Sequence, residues 1–110
     1  MDVVTVQDLA RHLQSPTDSV QLVDVREPHE LEIAQLPGFT NLPLSSYEEW
    51  SQKIQVILDA DREIWVLCHH GMRSARMCQW LMTQGYSQVK NITGGIHAYS
   101  AEVDRKIPVY

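Results

Sequence analysis

The feature that most constrains this chain is an alternation repeated along its length. Short β-branched apolar runs are separated by segments whose apolar residues recur every three or four positions. Residues 21–25 (Gln-Leu-Val-Asp-Val), 64–68 (Ile-Trp-Val-Leu-Cys) and 89–92 (Val-Lys-Asn-Ile) are short, rich in strand formers and read as buried strands. Thr5-x-x-Asp8, an acidic variant of a capping box, opens a helix with Val6, Leu9, Ala10 and Leu13 on one face, and Ser15-Pro16 ends it. Pro28 suits the first turn of a helix through Ile33, with Glu30 near its positive end. Leu36-Pro37-Gly38 makes a turn into a brief strand at 40–42, stopped by Pro43. Ser45 or Ser46 caps a further helix with Tyr47, Trp50, Ile54, Ile57 and Leu58 on its apolar face. Residues 74–84 form a helix with Ala75, Cys78, Leu81 and Met82 on one side and Gly85 just past its end, and 96–103 form the last helix after a Gly94-Gly95 turn. Strands alternating with helices imply an α/β fold, with a mainly parallel central sheet of about five strands and helices on both faces. No repeat, low-complexity tract or charge run divides the sequence, so residues 1–110 are expected to form one domain.

Charge and hydropathy exclude several classes of function. Nine basic against fourteen acidic residues give a formal charge of −5, where a nucleic-acid reader carries a basic footprint. The longest unbroken apolar stretch, Ile64 to Cys68, is far too short to span a bilayer. Asp2, Asp8, Arg11, His12 and Asp18 interrupt any signal-peptide core, and two cysteines cannot make a disulfide scaffold. The expectation is a cytoplasmic protein that binds neither nucleic acid nor membrane.

In sheets of this kind ligands collect at the carboxyl edge, where strands hand over to helices. The run Cys68-His69-His70-Gly71-Met72-Arg73-Ser74 lies at such a junction, after the most apolar strand. The thiolate is a cysteine's reactive form, and three features of this junction favour it. Helix N-terminal N–H groups attract negative charge. Gly71 lets a tight loop turn its amides inward as an anion nest. Arg73 adds a permanent cation suited to oxyanions. A lone cysteine at a strand end is ordinarily a small buried hydrophobe, but the polar, glycine- and arginine-bearing loop points to a nucleophile that its clients can reach. Cys78, in the middle of an apolar helix face, reads as core packing.

With these residues in view, the sequence resembles a single-domain rhodanese, a sulfurtransferase module, over essentially the whole chain. The matching pieces are Asp24-Val25-Arg26 with Glu30-Leu31, Leu36-Pro37-Gly38, Asn41-Leu42-Pro43, the loop from Cys68 to Ser74, Gly85-Tyr86, Val89 and Gly94-Gly95-Ile96. It departs from the family at Ala34-Gln35, where Gly-His is usual, and at Tyr99, where tryptophan is usual; both read as packing positions. The resemblance implies that Cys68 takes the outer sulfur of thiosulfate or a similar small donor as a persulfide. It then passes that sulfur to cyanide, a small thiol or a protein thiol. It implies that His69, His70, Gly71, Met72 and Arg73 bind substrate. The loop amides would hold the sulfur anion and Arg73 the sulfonate end of the donor, with no metal or organic cofactor needed. Arginine in the loop favours an inorganic anionic donor over 3-mercaptopyruvate. The alternative is a persulfide carrier that relays sulfur between partner proteins with feeble thiosulfate turnover. A redox or arsenate-handling thiol would want a resolving cysteine, which an inward-facing Cys78 does not supply. Cell-cycle dual-specificity phosphatases share a related fold but have a loop one residue longer than the four residues separating Cys68 from Arg73.

The remaining polar residues read more plainly. Cys68-His69-His70 lacks the spacing of a metal site, so the two imidazoles are expected to line the pocket mouth, where partial protonation would attract an anionic donor. His12, His29 and His97 read as surface residues. Asp24, Arg26 and Glu30 are expected to form a hydrogen-bonded brace and, with Ser74, to support the loop. Tyr47, Trp50 and Trp65 fit core packing. The tail Asp104 to Tyr110 is expected to fold back over the sheet.

Overall fold

The structure, a computed structural model, describes residues 2–110. In chain order the regular elements are β1 (Asp2–Val4), α1 (Val6–Gln14), β2 (Val20–Asp24), α2 (Pro28–Ile33), β3 (Thr40–Asn41), α3 (Tyr47–Trp50), α4 (Ile54–Ile57), β4 (Glu63–Leu67), α5 (Met72–Thr83), β5 (Val89–Ile92) and α6 (Gly95–Glu102). The five described strands form one sheet in the order β1-β5-β4-β2-β3, parallel at every pairing. The expected α/β architecture is therefore present, with the most apolar strand, β4, at its centre.

Residues of β4 alternate between two cores, as the period of two along a strand requires. Ile64, Val66 and, just beyond the strand, Cys68 face a cluster with Trp50, Ile54, Met77, Cys78 and Leu81 from α3, α4 and α5. Trp65 and Leu67 face the opposite cluster, with Leu9 of α1 and Ile96 and Tyr99 of α6. Ile64, Val66 and Leu67 are wholly buried, each worth about 1.5–3 kcal/mol against exposure. Of the departures from the family pattern, Ala34 and Tyr99 are buried in the second core, while Gln35 is exposed and does not pack there as expected.

The Thr5–Asp8 capping box forms in both directions, at 3.1 and 3.0 Å. Two readings need correction, and one strand, β1, goes beyond what the sequence reading assigned. β1 carries no visible pattern, because three residues are too few to show alternation; its pairing with β5 makes it a strand. The helix expected after Ser46 is broken into α3 and α4 by a 3-10 turn at Ser51–Lys53. Only Trp50, Ile54 and Leu58 of this stretch are buried, a stripe too narrow to enforce one continuous helix. In α5 the buried face is Ser74, Met77, Cys78 and Leu81, while Met82 is 48% exposed. A residue next to Leu81 is turned by about 100° and falls off that face.

All strands point the same way, so Asp24, Leu67 and Ile92 end at one edge, and Asp24 is the register partner of Leu67. That edge collects the polar residues singled out in the sequence.

Candidate active site

Cys68 follows β4 directly, and Gly71 caps α5. Gly71 has φ +103°, a left-handed value that favours glycine, and a Cβ there would press on the Gly94 amide nitrogen at 3.2 Å. The other wall of the loop is the start of α6. Ile96 N–H donates to the Cys68 carbonyl and His97 N–H to that of His69, both at 3.0 Å. A Cβ on Gly95 would lie 2.4 Å from both carbonyl oxygens, so only glycine permits this approach.

The Cys68 sulfur sits in a closed ring of hydrogen bonds. Gly71 N–H donates to Sγ at 3.0 Å, and Sγ lies 3.2 Å from Ser74 Oγ. Ser74 Oγ donates to Asn91 Oδ1 at 2.5 Å, and Asn91 Nδ2 donates to the Gly71 carbonyl at 3.0 Å, which returns the chain to its start. Ser74 has one hydroxyl proton. While that proton is on Asn91, a Cys68 thiol can donate to Ser74; when the sulfur is ionised the hydroxyl can turn and donate to it instead. The ring thus has a partner for sulfur in both protonation states. Among the described residues one main-chain N–H, that of Gly71, reaches Sγ, so the expected ring of several loop amides narrows to one amide and one hydroxyl. Cys68 is also only 1% exposed. The expectation of a nucleophile within reach of its clients is thus not met in this structure, which keeps the sulfur covered. Met72 points away, 74% exposed.

Arg73 is held in a bidentate ion pair, its two terminal nitrogens donating to Glu30 at 2.7 and 2.8 Å. That pairing holds the Glu30 carboxyl down to about 2, against the cost of burial, and raises the guanidinium further above its ordinary value. Behind it lies the expected brace. Arg26, fully buried, grips Asp24 with Nε and a terminal nitrogen at 2.8–3.1 Å and makes a 3.0 Å bond to Tyr110 Oη. Burial works against its charge, but the bonds to Asp24 and Tyr110 outweigh that and raise it. Tyr110 Oη in turn donates to Glu30 at 2.9 Å. Asp24, Arg26, Tyr110, Glu30 and Arg73 therefore form one chain of contacts ending at the loop.

Sequence reasoning brought together Cys68 to Ser74 with Asp24, Arg26 and Glu30 but missed Asn91, His97 and Tyr110. Asn91 left a signal, an amide next to the carboxyl end of a strand whose other polar residue is Lys90. Tyr110 left none beyond being an aromatic residue in the tail; its ring stacks on His69 at 3.8 Å and 4°. The tail thus folds back onto the loop. His97 is exposed as expected, yet its ring lies 4.8 Å from that of His70. Burial first, and the neighbouring His70 second, lower the His69 imidazole below its ordinary value.

Comparison with known proteins agrees with this geometry. The family described as Rhodanese-like domain matches residues 5–102. The rhodanese-like/PpiC domain-containing protein 12, chloroplastic, of Arabidopsis thaliana is 46% identical over 109 residues, 97% of this chain and 36% of that protein. A sulfurtransferase of Allochromatium vinosum is 36% identical over 84 residues, 76% of this chain and 75% of that protein. The crystal structure of a rhodanese-related protein from Thermoplasma volcanium superposes with a TM-score of 0.77 at 28% identity, covering 100% of this chain and 98% of that one. The chain spans about a third of the Arabidopsis relative. No described helix is long and apolar enough to cross a membrane. A five-strand parallel sheet, a cysteine loop on its carboxyl edge and a match over nearly the whole length have one reading: the chain belongs to the rhodanese-like domain family, of which the Allochromatium relative is named a sulfurtransferase.

Proposed function

We propose that this domain moves sulfane sulfur from thiosulfate, or a similar small anionic donor, to a thiol or cyanide through a persulfide on Cys68. The observation that carries this reading is the pair of polar partners on Sγ, Gly71 N–H and Ser74 Oγ, at the strand-to-helix junction. The Cys68 thiolate attacks the outer sulfur of the donor. The donor's S–S bond breaks, sulfite leaves with the bonding pair, and an Sγ–S bond forms. An acceptor nucleophile then attacks the terminal sulfur, and the thiolate is restored. Gly71 N–H and the Ser74 hydroxyl stabilise the negative Sγ of the free thiolate, as an oxyanion hole does for oxygen.

Arg73 serves the sulfonate end of the donor while still paired. A guanidinium has five N–H donors, and Glu30 takes two of them. Its carboxylate partner makes the attraction weaker than a free arginine would give. His69 and His70 flank the approach, and Asp24, Arg26 and Ser74 act by positioning the loop. The setting is a reducing compartment, the cytoplasm, in keeping with two free cysteines and an acidic surface unsuited to nucleic acid.

The test is steady-state transfer from thiosulfate to cyanide, followed as thiocyanate. Turnover by the wild type and none by Cys68→Ser is the expected result; equal turnover by both contradicts the reading. Arg73→Ala should raise the apparent KM for thiosulfate by about tenfold, the worth of one charge-assisted hydrogen bond, and should affect a neutral donor less. Equal effects on both donors would remove Arg73 from its role. Slow thiosulfate turnover with fast loading of Cys68 by a protein persulfide would mark the domain as a carrier.

A further inference from the structure

Consecutive Cys-His-His offers poor metal-ligand spacing along a chain, but the fold supplies what the sequence lacks. His97, in the first turn of α6, stands beside the loop because His97 N–H is bonded to the His69 carbonyl. One ring nitrogen from each of His69, His70 and His97 lies within 4.8 Å of the others. The ring centroids are 4.0 Å apart for His69–His70, 4.8 Å for His70–His97 and 6.1 Å for His69–His97. Besides this convergence, Nε2 of His69 is buried without a hydrogen-bond partner among the described residues. Buried polar atoms are seldom left so.

From this convergence we infer that His69, His70 and His97 form a binding site for a divalent first-row transition metal of the zinc kind. Three imidazoles with an open fourth position are a recurrent ligand set for Zn²⁺, at about 2.0–2.1 Å per bond. Nitrogens around a tetrahedral ion lie about 3.3 Å apart at such bond lengths, so the cluster must close by somewhat over an ångström. Two of its members can make that adjustment. His70 and His97 are exposed and free to change rotamer, while His69 is held in place by the stacked ring of Tyr110. The ion would tie the Cys68 loop to α6 and leave a coordination position for water or an anionic oxygen. Sulfur transfer through Cys68 does not require it. The site shares His69 and His70 with the proposed approach to Cys68, but Sγ itself is not among its ligands.

The experiment is titration of metal-stripped full chain with Zn²⁺ by calorimetry, repeated with Co²⁺, whose visible ligand-field bands report the donor set. The expected result is one ion per chain in wild type and in Cys68→Ser, with binding at least about tenfold weaker in His97→Ala and the Co²⁺ bands lost there. His70→Gln, also at an exposed position, should weaken binding in the same way and serves if His97→Ala folds poorly. Wild type should also melt at higher temperature as Zn²⁺ rises, by mass action. Binding unchanged in both histidine variants, binding lost in Cys68→Ser, or no saturable binding by wild type would each overturn the assignment.

Discussion

Cys68 and Cys78 are ten residues apart, face the same core and are equally hidden, 1% and 0% exposed. Exposure therefore does not set the proposed nucleophile apart from the packing residue; the atoms around the sulfur do. Cys78 lies in an apolar core in the middle of α5, where burial pushes its thiol up to about 12. Cys68 sits where β4 gives way to α5, with an amide N–H and a hydroxyl on its sulfur. An anion has donors in the second place and none in the first.

The largest effect that could break this comparison is the exchange of roles. Cys68→Ser should abolish sulfur loading with the fold intact by circular dichroism. Cys78→Ser should load normally and lose about 1–3 kcal/mol of stability in urea melts, because a hydroxyl is placed in apolar surroundings. Reversal of the two outcomes would place the nucleophile in α5. A smaller effect should come from the ring. Ser74→Ala removes one hydrogen bond to the sulfur and should slow loading by about tenfold, with little change in the thiosulfate KM. A rate equal to wild type would make the Ser74–Asn91 pair merely structural.

The smallest effect is acid dependence. Glu30 is held down to about 2 from 4.5, chiefly by its bonds to Arg73. A depressed carboxyl contributes stability above its unfolded value and loses it as the pH falls through the folded one. Wild type should thus be more stable than Glu30→Gln above pH 4.5, and the gap should close as the pH falls towards about 2. A gap of constant size across that window would show that the ion pair contributes nothing that titrates.

The fold was legible because its signals are local and periodic. The strand at Glu63–Leu67, the Thr5–Asp8 box and the Gly85 turn each follow from a few adjacent residues. The loop was legible too, as a polar, glycine-bearing run after the most apolar strand. What could not be read is what depends on register and return. Asn91 meets Ser74, His97 meets His70 and Tyr110 meets both Arg26 and Glu30 across long separations in sequence. Arg73 shows the limit most clearly. Its type announced an anion partner, but only the placement of α2 against the loop shows that the resting partner is Glu30.

Cys68, as deeply buried as Cys78 in α5, is nevertheless the cysteine proposed to carry sulfur. The most direct measurement is mass mapping. The protein is loaded with thiosulfate, blocked and digested, and the extra sulfur is located by fragmentation. One added sulfur is expected, on the Cys68 peptide alone, and it should disappear when cyanide is supplied before blocking. Sulfur on Cys78, or none on either residue, would contradict it.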